Sequence, residues 1–158
     1  MEDKQRLFLI SQTYATLFSA SNKIQAAGDE VIGALTSRQL MTMIAIAHIP
    51  KGKVTLSAIA TKIGATKQST AQIVNNLKNK GYLKTEKNIL DGRSVNIVVT
   101  ASGKEVAERS NAKGWHFLQT LFQDFSNEEL TLFWQLLQRL YEFDGELQDG
   151  FEADGRKL

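Results

Sequence analysis

Residues 66–79 read TKQSTAQIVNNLKN, in which Thr70, Ile73, Val74 and Leu77 recur at helical spacing. That leaves Gln68, Ala71, Gln72, Asn75 and Asn79 on the opposite face, rich in amides and without an acid. A side-chain amide donates and accepts at once, so Asn and Gln can pair bidentately with base edges. At the start of the segment, with Thr66 as the helix cap, Lys67, Ser69 and the free N–H groups of the first turn suit phosphate oxygens. An idle solvent face more often carries lysine and glutamate. A second cluster follows at residues 88–100, NILDGRSVNIVVT. Asp-Gly ahead of a β-branched run signals a hairpin, because glycine accepts a positive φ without steric cost. Asp91 and Gly92 are accounted for by the turn, but Arg93 is not. It is a long cation at an exposed tip, preceded in the same hairpin by Lys84 and Lys87.

Charge is distributed in the same sense. The chain has 158 residues and a formal net charge of only +2. Residues 51–104 nevertheless hold nine lysines and Arg93 against Glu86 and Asp91, a net +8, while the remainder holds nine basic and fifteen acidic residues, a net −6. A basic centre between acidic flanks is the footprint of a nucleic-acid-binding module on an acidic scaffold. Zero cysteines exclude disulfides, thiolate catalysis and thiolate metal sites. His48 and His116 are too few for a histidine-rich metal site, and no convergent nucleophile and base can be assembled, so neither enzyme, metal nor cofactor is expected. His48 lies among apolar residues and reads as a satisfied, partly buried side chain. No apolar run is long enough to span a bilayer, and LFLI after MEDKQR is too short for a signal-peptide core, so a cytoplasmic protein is expected.

The elements that would position these clusters follow from periodicity and caps. Leu7, Ile10, Tyr14, Leu17, Ser21 and Ile24 alternate spacings of three and four, the seam of an amphipathic helix. Thr36 and Gln39 form a capping box ahead of a helix that Pro50 and Gly52 close. Two short helices then flank Gly64, with Ser57 and Thr66 as their expected caps and Gly81 ending the second. Strands surround Asp91-Gly92, Thr100 caps a long helix from Ala101, and Ser126 with Glu129 opens another carrying Leu130, Phe133, Trp134, Leu137, Leu140 and Tyr141 on one face. Helix, tight turn, helix and two-stranded hairpin is the order of a winged helix-turn-helix. The expected fold is therefore mainly α with a small β-hairpin wing. Residues 36–100 form the DNA-binding region, 1–35 and 101–147 a helical dimerisation region whose apolar stripes need a partner, and 148–158 a frayed tail.

LTSRQL from Leu35, TLSAIATKIG from Thr55, TKQSTAQIVNNLKNKGYL from Thr66, DGR at 91–93, VVTASGKE from Val98 and FSNEEL from Phe125 together resemble the MarR family of bacterial transcription regulators, over roughly residues 7–145. The resemblance implies a homodimer clasped by the N- and C-terminal helices, a recognition helix in each major groove of double-stranded DNA, and a wing along each minor groove. It matches Asp91 as wing support and Arg93 as the groove contact. Many members carry arginine near the start of the wing where this chain has Lys84. An ammonium lacks the planar fork of a guanidinium. The DNA-binding set is thus Thr66, Lys67, Gln68, Ser69, Gln72, Asn75, Lys84, Lys87 and Arg93. Family members also bind small lipophilic or aromatic effectors, for which Trp115 and His116 are the candidate pocket residues, though His116 between Trp115 and Phe117 also suits core packing or a dimer interface. The expected function is a homodimeric repressor on a pseudo-palindromic operator. The alternative is a winged helix used for protein interaction without DNA, which has no need of +8 over its recognition helix and wing.

Overall fold

The computed structural model describes residues 2–88, 91–147 and 150–151. Its elements run α1 (Glu2–Ile32), α2 (Ser37–His48), α3 (Leu56–Ile63), α4 (Lys67–Asn79), β1 (Leu83–Lys87), β2 (Val95–Val99), α5 (Ala101–Leu121) and α6 (Asn127–Tyr141), followed by a single 3-10 turn at Glu142–Asp144.

Most helix boundaries follow local chemistry. Thr36 and Gln39 form a complete capping box at α2, as do Ser126 and Glu129 at α6. Thr66 accepts from Ser69 N at the start of α4, and Thr100 from Gly103 N at the start of α5. One expected cap is displaced. Thr55, not Ser57, caps α3, accepting from Ala58 N, and Ser57 is an exposed residue within the helix. Both hydroxyls precede the apolar stripe, but Val54 is buried and brings Thr55 to the helix mouth.

The hydrophobic core draws on residues from Ile32 to Ala107. Leu35, Met43, Ile59 and Leu77 are its fully buried large side chains, joined by Leu40, Val74, Leu83, Ile97 and Val106. The last turn of α1 and the first turns of α5 therefore belong to the helix-turn-helix lobe. Gly103 seats α5 on the root of the hairpin: a Cβ there would stand 2.1 Å from the Tyr82 carbonyl oxygen. Thr100 Oγ1 donates to Gly81 O at 2.6 Å in the same junction.

Outside this core α1 and α6 leave much apolar surface exposed. Leu7, Phe8, Leu9, Ile10, Tyr14 and Phe18 on α1 are exposed, as are Leu132, Phe133, Trp134, Leu136 and Leu140 on α6. Contiguous apolar surface of this kind marks an interaction face.

Candidate nucleic-acid interface

Helix α4 is aimed by two devices. Upstream, α3 closes on Gly64 in the left-handed conformation at φ 64°. Gly64 N donates to Thr61 O at 3.1 Å and Ala65 N to Ala60 O at 2.9 Å, the paired bonds of a Schellman ending. A side chain at that φ would be strained, so glycine permits the two-residue turn into the Thr66 cap. Across the lobe, the buried Gln39 side chain accepts from Thr36 N and donates from Nε2 to Asn76 Oδ1 at 3.1 Å. One residue thus caps α2 and tethers α4. Only the first role is legible in the sequence, because no local spacing announces a bond between residues 37 positions apart. The tether continues into α1, where Arg38 Nε donates to Gln25 Oε1 at 2.8 Å and Ser37 N to Asp29 Oδ1.

With Thr70, Val74 and Leu77 buried, α4 turns Gln68, Gln72, Asn75 and Asn79 to solvent, together with Lys67 and Thr66. The amide face is therefore continuous and free of acids. Ser69 departs from this set: it is half-buried and looks toward α1 and α2, where it and Thr66 line a cleft.

The wing is an antiparallel pair in the register Leu83↔Val99, Lys84↔Val98, Thr85↔Ile97, Glu86↔Asn96 and Lys87↔Val95. Leu83 and Ile97 anchor one face in the core, and Ile97 N donates to Val54 O at 2.9 Å. Lys84 and Glu86 share the opposite face, where Lys84 Nζ lies 2.8 Å from Glu86 Oε1. An exposed pair of this kind adds little stability, but it places a carboxylate beside one of the candidate phosphate-binding cations. Lys87 and Arg93 are exposed.

The hairpin forms, but its tip does not use the positive φ for which Asp-Gly was read. Gly92 does not take a positive φ, and residues 88–94 connect the strands. Asp91 through Ser94 form a β-turn closed by Ser94 N donating to Asp91 O at 3.0 Å, with Gly92 and Arg93 at its centre. Asp91 Oδ1 also accepts from Arg93 N at 3.1 Å. The longer connection lets a turn with ordinary dihedrals reverse the chain, so the left-handed freedom of glycine goes unused. Ile89 and Leu90, within the stretch read as hairpin, lie outside the described residues.

Trp115 and His116 do not meet the cleft beside α4. Both are exposed on α5, in the part of that helix beyond the lobe core. The cleft has a volume of about 670 Å³ and runs between α1, α2, the α3–α4 turn and the C-terminal end of α6. Arg38, Lys62, Met41, Ile73, Tyr141 and Phe151 are among its walls. His48 is half-buried, its Nδ1 2.8 Å from Ile44 O, as a structural histidine would be. Among the described residues no cluster of His, Asp or Glu could hold a metal ion, and no helix is long and apolar enough to cross a membrane.

Residues 35–94, from the start of the lobe to the tip of the wing, match the model of the MarR family. This segment folds as a winged helix-turn-helix similar to that family's. In solved structures the likeness of fold extends through the helical extensions. The S. aureus MepR–DNA complex superimposes with a TM-score of 0.70 at 24% identity, covering 80% of this chain and 93% of that one. PcaV from Streptomyces coelicolor, in complex with its natural ligand, gives 0.71 at 19% identity, covering 85% and 92%. Apo MarR from E. coli gives 0.63 at 17% identity, covering 80% and 94%. No curated protein matches the chain in sequence.

Proposed function

We propose that the protein is a cytoplasmic, homodimeric transcriptional repressor that binds a pseudo-palindromic operator in double-stranded DNA. The observation that carries this reading is the acid-free amide face of α4, presented by a lobe whose segment 51–104 carries a net +8. Gln68, Gln72 and Asn75 read base edges in the major groove, Thr66, Lys67 and Ser69 meet phosphates at the helix start, and Lys84, Lys87 and Arg93 extend the contact along the wing, with Asp91 holding the tip. Because Ser69 is half-buried, its contribution is the smallest of the helix-start set. The bare apolar faces of α1 and α6 support the dimer, since each needs a second surface before it is shielded from water. DNA bound to MepR in a structure of this fold supports the same reading.

Selection of bound fragments from random DNA tests it. An enriched two-fold sequence with half-site centres roughly 34 Å apart, or a small multiple of that, is expected, with affinity falling steeply as salt rises. Inserting about five base pairs between half-sites should abolish binding, because one half-site turns to the far side of the duplex. No enriched sequence and no salt dependence would leave a protein-docking winged helix as the better account.

A second reading, release by a small lipophilic or aromatic effector, is favoured by the cleft beside α4 rather than by Trp115 and His116. Its apolar walls Met41, Ile63 and Ile73 face Arg38 and the aromatic ring of Tyr141, and Ile73 belongs to the recognition helix itself. A molecule seated there would press directly on α4. Ligand-bound PcaV, of the same fold, is consistent with this use.

A further inference from the structure

The tail beyond α6 was expected to fray, yet part of it is packed. Residues 148–149 and 152–158 lie outside the described residues, but Gly150 is buried and Phe151 half-buried. The Phe151 ring meets the His48 ring edge-on at 5.8 Å between centroids, and the Lys62 ammonium stands 5.2 Å from its centre. Both distances are within the range of attractive aromatic and cation–π contacts. Ten residues earlier, Tyr141 Oη donates to Thr61 O at 2.5 Å, joining two residues 80 apart in sequence. Its ring also closes over the Gly64 turn, where an added Cβ would lie 3.2 Å from Tyr141 Cε2.

These contacts converge on one place. Thr61, Lys62 and Gly64 are the end of α3 and the turn that launches α4, and His48 ends α2 beside them. The Thr61 carbonyl is one of the orphan acceptors of a helix C-terminus, and the Tyr141 hydroxyl adds a second donor to the bond from Gly64 N. The lobe is otherwise joined to the helical extensions by α1 and α5, which enter its core together and pack against each other. The bonds from Arg38 and Ser37 to Gln25 and Asp29 add a link between α2 and α1. None of these links holds the end of α3, and the Tyr141 and Phe151 contacts restrain the lobe there.

We infer that Tyr141 and Phe151 are positioning residues for DNA recognition, clamping the α3–α4 turn so that the recognition helix keeps a set orientation relative to the helical extensions. The inference rests on the DNA-binding reading for its consequence and on geometry alone for its mechanism. The clamp acts on orientation, so its loss alters which half-site spacings are accepted more than it alters phosphate binding. It also borders the cleft beside α4, so an occupant of that cleft would touch the clamp and the recognition helix at once.

The test uses full-length protein with Tyr141→Phe, Phe151→Ala and both together, with Phe151→Tyr as the conservative control. Because the chain has no cysteine, Ser57→Cys on α3 and Gln119→Cys on α5 introduce the only two thiols for spin labels. Labelled chains are diluted in unlabelled protein so that distances within one chain are read. The double variant should broaden the lobe-to-extension distance distribution, whereas wild type and Phe151→Tyr keep a narrow one. On the selected operator, the double variant should lose about tenfold of the wild-type discrimination against a one-base-pair change in half-site spacing, with an unchanged salt slope. An unbroadened distribution in Phe151→Ala, Tyr141→Phe and the double variant would overturn the clamp. So would broadening without any change in spacing discrimination. Absence of DNA binding by wild type would instead overturn the DNA reading while the distance measurement still decides the clamp.

Discussion

Replacing Gln39 by alanine should remove the tether between α2 and the recognition helix. Gln39 is buried, with 8% of its surface exposed, and makes two side-chain hydrogen bonds, to Thr36 N and to Asn76 Oδ1, both 3.1 Å. Thr36 and Asn76 are themselves exposed, so water can take over the released groups and each bond counts at its net value of about 1 kcal/mol. Loss of one buried methylene adds about 0.8 kcal/mol. The total, about 2 to 3 kcal/mol, lowers the folded-to-unfolded ratio by roughly 30- to 150-fold. The part that concerns function is the bond to Asn76, and a double-mutant cycle of Gln39→Ala with Asn76→Ala isolates it. Urea unfolding at one fixed protein concentration should give a coupling of about 1 kcal/mol, and both single variants should weaken operator binding. Strict additivity of the two substitutions would refute the tether. Full coupling with unaltered DNA affinity would show that the bond stabilises the lobe without aiming α4.

Arg93→Ala should leave the fold intact, since the residue is exposed, while reducing affinity and shallowing the log–log salt slope by about 0.9 for each phosphate it no longer neutralises. The loss should be larger on sites with A·T-rich flanks, where a narrow minor groove concentrates negative potential. Gln68→Ala or Gln72→Ala should cost about 1 to 3 kcal/mol on the preferred operator and relax preference at one or two base pairs, measured by competition among variant sites. Gly103→Ala should destabilise the lobe by about 1 to 3 kcal/mol or more in thermal or urea unfolding, because the added carbon meets the Tyr82 carbonyl and backbone must move. Glu128, at the start of α6, has its carboxyl held below the usual value by hydrogen bonding to backbone N–H and then by the Ser126 hydroxyl. A carboxylate depressed in the folded state adds stability above its unfolded pKa and loses it as pH falls through the folded one. An NMR titration should therefore place Glu128 below an ordinary glutamate, and Glu128→Gln should remove that acid-range dependence.

Much of the winged helix-turn-helix was legible because its signals are local. A hydroxyl three residues ahead of an N–H makes a cap wherever it occurs, which is why Thr36, Thr66, Thr100 and Ser126 marked real helix starts. The 3.6-residue period likewise decided which side of α4 is buried, and the run of lysines from Lys51 to Lys104 showed where its charge lies. Local signals also misled where two readings were equally satisfied nearby: Thr55 and Ser57 both precede α3, and Asp91-Gly92 suits either a tight reversal or one turn of a longer loop. The choice fell to the core, which seats Val54, and to the length of the connection, which lets Gly92 keep ordinary dihedrals.

What only the tertiary structure decided are contacts between residues far apart in sequence. Gln39 with Asn76, Tyr141 with Thr61 and Phe151 with His48 and Lys62 leave no periodic trace, because each is made by one side chain whose partner depends on how whole helices cross. The residue types that could meet DNA are written along α4 and the wing. The angle at which they are held depends on those long-range contacts, since the turn at Gly64 bends locally but takes its direction from what packs on it.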